Sequence, residues 1–193
     1  MNNPEWHLAI FASGSGTNAE AIIKHFRHHK SIRVAALLSN KPDAYALERA
    51  RKFNVPTFVF NRKQFYESGE VLAWLQQHRI THIVLAGFLW LVPQSLIHAY
   101  SGRIINIHPA LLPKYGGKGM YGMHVHRAVK QAGETETGIT IHLVDEHYDN
   151  GKILLQARVQ LNGTETPEQI AEKVHELEYR HYPEVIEKWV QYS

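Results

Sequence analysis

The sequence predicts an α/β protein: one domain built on a doubly wound, mostly parallel sheet. Apolar runs of strand length alternate with segments of helical length, the signature of βαβ units. One run, IVLAGF (Ile83–Phe88), is apolar without alternation, as expected of a strand covered on both faces. A glycine-rich turn, SGSGTN, follows the first apolar run, where open α/β sheets gather ligands.

The elements follow in order. Strands are expected at LAIFA (Leu8–Ala12), VAALLS (Val34–Ser39), TFVF (Thr57–Phe60), Ile83–Phe88 and RIINIH (Arg103–His108). Helical segments fall at about Ala19–His29, Asp43–Phe53, Lys63–His78 and Pro93–Tyr100. Two later runs, Gly138–Asp145 and Lys152–Leu161, joined by EHYDNG, read as a hairpin-like extension. A long helix closes the pattern at Pro167–Val190, with Thr166 as N-cap, Pro167 in the first turn and Glu168 favourable to the dipole. Pro183 is expected to kink or split it.

Composition narrows the function classes. The 193 residues suffice for one core and are short for two domains. There is no cysteine, which excludes disulfide scaffolds, cysteine-based zinc sites and thiol nucleophiles. The N-terminal MNNPEWHLAIFASG has no basic flank before an apolar stretch, so no secretory signal is expected. No apolar run approaches the roughly 20 residues of a membrane span. The net charge of +3 suits an anionic small molecule, and no Lys/Arg run points to nucleic acid. A cytoplasmic protein without nucleic-acid or membrane partners is the expectation.

Three places carry chemistry. In SGSGTN, Gly14 and Gly16 precede Thr17 and Asn18, which open a helix. Backbone N–H groups there form an anion site, and glycine permits close approach. The third glycine of a dinucleotide fingerprint is missing, since Ala19 stands near its place. So is the Gly-Lys-Thr ending of a P-loop. A single phosphate is the reading, beside the plain alternative of a capped turn. In NIHP, Asn106 and His108 lie two apart on a strand and share a face, and Pro109 ends the strand. An amide donor beside an imidazole suits a developing oxyanion. In HYDNG, Asp149 could supply the negative charge that raises the His108 pKa and keeps the imidazole charged near neutral pH. A simple Asp-Asn-Gly turn is its other reading.

A metal reading would recruit His124, His126 and His108. It is disfavoured because His124 and His126 flank the start of a helix at a spacing that does not share a face, and no HExxH occurs. A serine-hydrolase reading lacks its Gly-x-Ser-x-Gly elbow.

At these residues the chain resembles the glycinamide ribonucleotide (phosphoribosylglycinamide) formyltransferase family of purine biosynthesis, over nearly its whole length. SGSGTN resembles the family's phosphate loop, LAGFLWLV its folate segment, NIHPALLPKY its most diagnostic string, and ITIHLVDEHYDNG the stretch ending in its aspartate. The NIHP and LLP element alone also marks methionyl-tRNA formyltransferases and formyltetrahydrofolate hydrolases. The resemblance implies a Rossmann-like formyltransferase fold. A first half to about residue 100 would bind the phosphate, and a second half would carry the catalytic and folate-binding residues. It implies 10-formyltetrahydrofolate as co-substrate, no metal, direct attack by the substrate amine, and a monomer or homodimer.

It further implies catalytic roles for Asn106, His108 and Asp149, with His108 the proton donor. Gly16, Thr17, Asn18, Pro109 and Glu178 would contact the phosphoribosylglycinamide, Glu178 on its ribose side. Arg62, Leu89, Trp90, Leu91 and Val92, with Asn106 and Asp149, would face the folate. Glu178 can equally be a solvated helix residue, and Arg62 a surface charge. Two departures stand out: Trp90 occupies a position where the family often has arginine, and GGKGMYGM (Gly116–Met123) is longer than the usual connection. That segment reads either as a surface loop or as a cover over the substrate. A tRNA formyltransferase, a hydrolase, and a non-catalytic nucleotide- or folate-binding module remain the rival readings.

Overall fold

A computed structural model describes residues 6–193. The expectation about a secretory signal rests partly on residues 1–5, which lie outside the described residues.

The chain runs β1 (Trp6–Phe11), α1 (Thr17–Phe26), β2 (Ile32–Ser39), α2 (Tyr45–Lys52), β3 (Thr57–Val59), α3 (Arg62–Tyr66), α4 (Glu70–Gln77) and β4 (His82–Leu85). It continues with α5 (Gln94–Ala99), β5 (Ile104–His108), α6 (Met123–Gln131), β6 (Glu136–Leu143), β7 (Ile153–Gln160) and α7 (Pro167–Val190). The strands form one seven-stranded sheet in the order β3-β2-β1-β4-β5-β6-β7. β1 to β5 are parallel, while β6 and β7 are antiparallel additions. Strand order reverses between β1 and β4, the switch point at which loops diverge and leave a crevice.

Strand alternation builds a core on each face. Leu8 and Ile10 of β1 pack with α1, α2, α6 and α7, while Ala9 and Phe11 pack with α3, α4 and α5. Tyr182 of α7 is fully buried, and its hydroxyl donates to the carbonyls of Leu85 (2.8 Å) and Ile105 (3.3 Å) at the ends of β4 and β5. This bond pins α7 beneath the switch point.

The doubly wound α/β architecture and the β6–β7 hairpin are as the sequence predicts. Three local expectations change. The segment Lys63–His78 is two helices, because Gly69 adopts φ +70° and starts a second axis, while Asn61 and Gln64 form a capping box for the first. The run Ile83–Phe88 leaves the sheet after Leu85. Gly87 takes φ +71° and its carbonyl accepts from the Ser13 N–H, so the apolar residues beyond it line a crevice. Pro183 does not split α7, which is unbroken for 24 residues. Its ring is buried beside Tyr182 and Ile186, where packing offsets the missing N–H. A capping box of Thr166 with Gln169 begins that helix.

Tyr182→Phe keeps the ring and removes the buried hydroxyl whose one hydrogen serves the Leu85 carbonyl and, at longer range, that of Ile105. Stability is expected to fall by roughly 1–2 kcal/mol, read as a lower denaturant midpoint at unchanged slope.

Candidate active site

The loops after β1, β4 and β5 enclose one crevice of about 650 Å³ over the C-terminal ends of these strands. Its first end is the start of α1. Gly16 is the N-cap with φ +74°, and a Cβ there would lie 2.5 Å from Ala46, so both conformation and crowding require glycine. No side chain caps this end, which leaves the N–H groups of the first turn for an anion. The Asn18 amide donates to Glu178 (2.8 Å), and its own oxygen is buried without a partner. Glu178 is 5% exposed, and burial pushes its carboxyl up to about 7 against the pull of the Asn18 amide. Its position on the pocket wall removes the solvated-face reading.

At the centre, Asn106 and His108 project from β5 as strand alternation predicts. Asp149 joins them from the β6–β7 connection. Gly151 makes that approach possible, since a Cβ there would stand 1.7 Å from the Leu143 carbonyl oxygen, and Asp149 itself adopts φ +51°. Asp149 Oδ2 lies 3.5 Å from His108 Nδ1, and Oδ1 lies 3.5 Å from Asn106 Nδ2. The Gly117 N–H donates to Oδ2 at 2.9 Å. Burial disfavours the Asp149 carboxylate, but His142, His108 and the Gly117 N–H outweigh it and hold the carboxyl below its usual range.

His108 corrects one expectation. Asp149 and the Tyr115 carbonyl do push its pKa up, yet burial at 3% exposure is the larger effect, and the imidazole titrates below its ordinary value. Charge pairing alone does not keep it protonated near neutral pH.

His142 is a member of this cluster that sequence reasoning missed. It lies opposite Asn106 in the β5–β6 ladder, buried, with Nε2 3.1 Å from Asn106 Nδ2 and 3.7 Å from Asp149 Oδ1. Its Nδ1–H donates to the Leu143 carbonyl at 2.8 Å, so Nε2 accepts from the Asn106 amide. The signal was available: Thr140 and His142 are polar at alternate places of the run ITIHL, between Ile139, Ile141 and Leu143. Thr140 faces His108 in the same register and binds the Ala110 carbonyl and the Leu112 N–H, which fixes the loop after Pro109. The Leu112–Pro113 bond is cis.

The far end holds the folate-segment candidates. Leu89, Trp90, Leu91 and Val92 line the crevice beside Phe88. Two of their backbone groups are already engaged, the Leu89 N–H by Ser13 (3.1 Å) and the Leu91 carbonyl by Tyr66 (2.8 Å). Arg62 stands outside the lining. Its guanidinium lies 4.9 Å from the Tyr66 ring and 5.7 Å from the Trp90 ring, a cation–π stack at the rim. Gly16, Thr17, Asn18, Asn106, His108, Pro109, Asp149 and Glu178 all meet in the one crevice.

The segment Gly117–Gly122 forms a wall of this crevice. His124 and His126 both lie in the first turns of α6 but part ways: His124 is exposed against Tyr121, while His126 is buried and faces the crevice. Burial lowers His126 to about 4. Among the described residues no group of three His, Asp or Glu side chains is arranged to hold a metal ion, and no helix is long and apolar enough to cross a membrane.

Glu178 generates a pH prediction. Its folded pKa of about 7 exceeds the ordinary 4.5. Its protonated form is therefore favoured by folding, and that contribution is lost as pH rises from 4.5 through 7. Glu178→Gln removes this loss, so its stability advantage over the unsubstituted protein should grow across that window and level off above it. Denaturation midpoints of the two proteins at pH 4.5 and 8 check this.

Comparison with known proteins agrees with the geometry. Residues 6–186 match the family described as formyl transferase. The phosphoribosylglycinamide formyltransferase of Bacillus subtilis is 38% identical over 186 residues, covering 94% of this chain and 93% of that protein. The chloroplastic enzyme of Arabidopsis thaliana is 40% identical over 185 residues, and this match spans 63% of that relative's length. A crystal structure of phosphoribosylglycinamide formyltransferase from Bacillus halodurans superposes with a TM-score of 0.86 at 38% identity, covering 96% of each chain. The chain belongs to the formyl transferase family.

Proposed function

We propose that this protein transfers a formyl group from 10-formyltetrahydrofolate to the amine of phosphoribosylglycinamide, a step of purine biosynthesis. The observation that carries the reading is one crevice with an uncapped α1 N-terminus at one end and the Asn106–His108–Asp149 network at its centre. A substrate with a phosphate at one end and a nucleophilic amine at the other matches that layout.

The residues present suit a folate. The crevice volume lies within the range of about 300–1,000 Å³ usual for small-molecule sites. Phe88, Trp90 and Val92 offer an apolar wall, and the backbone of Leu89–Val92 keeps polar groups beyond the two already engaged. Bound there, the formylated folate supplies the electrophilic formyl carbon. Arg62, fixed by Tyr66 and Trp90, stands where it can meet an anionic tail at the rim. In this reading residues before about 100 supply the phosphate loop and the Leu89–Val92 wall, and later residues supply the catalytic groups.

Asn106 carries two amide hydrogens, one held by His142 and one directed at Asp149 over a long 3.5 Å, which the formyl oxygen can capture. Asn106 donates to that oxygen as negative charge gathers on it, and His108 adds a second donor once its Nδ1 has taken up a proton. Asp149, kept ionised by its neighbours, receives the proton lost by the attacking amine. Asp149 passes that proton to His108 Nδ1, 3.5 Å away, and His108 delivers it to the departing nitrogen, so one proton travels from the amine to the leaving group and both side chains end as they began. Gly16, Thr17 and Asn18 hold the phosphate, while Glu178 faces the sugar beside Asn18.

Direct assay with both substrates should show formyl transfer, without formylmethionyl-tRNA formation and without hydrolysis as the main reaction. Failure to turn over any of them would favour a binding module. His108→Ala should lower kcat by roughly two to four orders of magnitude; near-normal turnover would sink the assignment. Asp149→Asn removes the charge that raises His108, so the limb of the pH–rate profile belonging to His108 should move to lower pH. An unmoved profile would reject the pairing.

A further inference from the structure

Three consecutive residues cross the catalytic groups and touch both of them. The Tyr115 carbonyl lies 2.7 Å from His108 Nε2, and the Gly117 N–H donates to the Asp149 oxygen that faces His108 Nδ1. Both contacts depend on unusual backbone: Tyr115 has φ +57°, uncommon for a bulky residue, and Gly117 has φ +92°. Such a conformation persists where the surroundings enforce it. Here the Tyr115 hydroxyl donates to Glu134 at 2.8 Å, and Lys114 holds the same Glu134 oxygen at 2.9 Å. Glu134 lies beyond the C-terminus of α6, outside the crevice lining.

The contacts decide a chemical question. A carbonyl only accepts, so the Tyr115 oxygen requires the proton on His108 Nε2. A neutral imidazole carries one proton, which leaves Nδ1 unprotonated and turned towards Asp149. The titratable groups around His108 are Asp149 from the β6–β7 connection, His142 from β6 and His126 from α6. None of them takes the place of Tyr115 at Nε2.

We infer that Tyr115–Gly117 is a positioning strap: it locks His108 as the Nε2–H tautomer, orients Asp149, and thereby makes Nδ1 the nitrogen that exchanges protons with bound substrate. Tyr115 and Gly117 are positioning residues, acting through His108 and Asp149. The role given to Nδ1 rests on the formyl-transfer reading, whereas the resting tautomer and its dependence on the strap do not. The strap also explains part of the glycine-rich segment, since φ +92° at position 117 is a conformation that side chains resist.

The test is imidazole nitrogen NMR on the full chain labelled with ¹⁵N-histidine, without substrate, with His108→Gln identifying the His108 signals. A proton on Nε2 and a bare Nδ1 are expected above the His108 pKa. A proton on Nδ1 overturns the inference. Gly117→Ala strains the strap at its positive φ, and Glu134→Gln weakens the Tyr115 anchor from outside the crevice. In both, the Nδ1–H form should grow and His108 should titrate at lower pH, because the Tyr115 acceptor that favours its charged form recedes. Misplacement of this kind is expected to lower kcat roughly ten- to a hundredfold in Gly117→Ala, and less in Glu134→Gln, with KM little changed. A loss of kcat with unaltered tautomer and pH profile in both variants would reduce the strap to a structural loop and overturn the inference. If the protein transfers no formyl group at all, the resting tautomer still decides this point, while the proposed function alone falls.

Discussion

The site depends on the antiparallel register between β5 and β6. It sets His142 opposite Asn106 and Thr140 opposite His108. The first pairing directs the Asn106 amide between His142 and Asp149. The second secures the loop after Pro109 through one hydroxyl that both donates and accepts. A slip of one residue would turn both polar side chains to the other face and dismantle the network. β6 ends at Leu143 opposite Ile105, and the connection to β7 then carries Asp149 to Asn106 and His108.

Burial then sets the electrostatics. One crevice contains an aspartate held below its usual range, a glutamate pushed up to about 7, and three histidines, His108, His126 and His175, titrating below their ordinary value. The differences trace to partners rather than to depth alone. Asp149 receives the Gly117 N–H and the long contact from the Asn106 amide and lies beside two imidazoles, whereas Glu178 has a single amide. Separated pKa values among neighbouring groups are what proton exchange at a single centre requires. Among groups as buried as His108 and Asp149, each hydrogen bond carries more weight than it would in water.

Much of this was legible in the sequence, for local reasons. Alternation of apolar runs and helical segments yields the βαβ order, and the period of two places Asn106 and His108 on one face. The helix-opening Thr17 and Asn18 after Gly14 and Gly16 mark the helix start that the structure sets, uncapped, at one end of the crevice. Expectations failed where local pattern met a tertiary override. Lys63–His78 has helical composition throughout, yet Gly69 redirects it. Ile83–Phe88 is apolar because its second half lines a crevice, not because it continues a strand. Pro183 sits in an unbroken helix because its ring is buried on the packed face of α7. His142 was passed over because a lone histidine in a strand acquires meaning only from the residue across the ladder.

The sequence by itself determined the fold class, the shared face of Asn106 and His108, and the family resemblance, since these rest on periodicities and contiguous motifs within one segment. Only the tertiary structure decided the protonation tendency of His108, the membership of His142, the place of Arg62 at the rim, and the contact of Tyr115 and Gly117 with the catalytic groups. These depend on desolvation and on distances between residues far apart in the chain, such as the 43 positions separating Asn106 from Asp149. Burial and long-range register are properties of the packed whole, and no spacing along the chain encodes them.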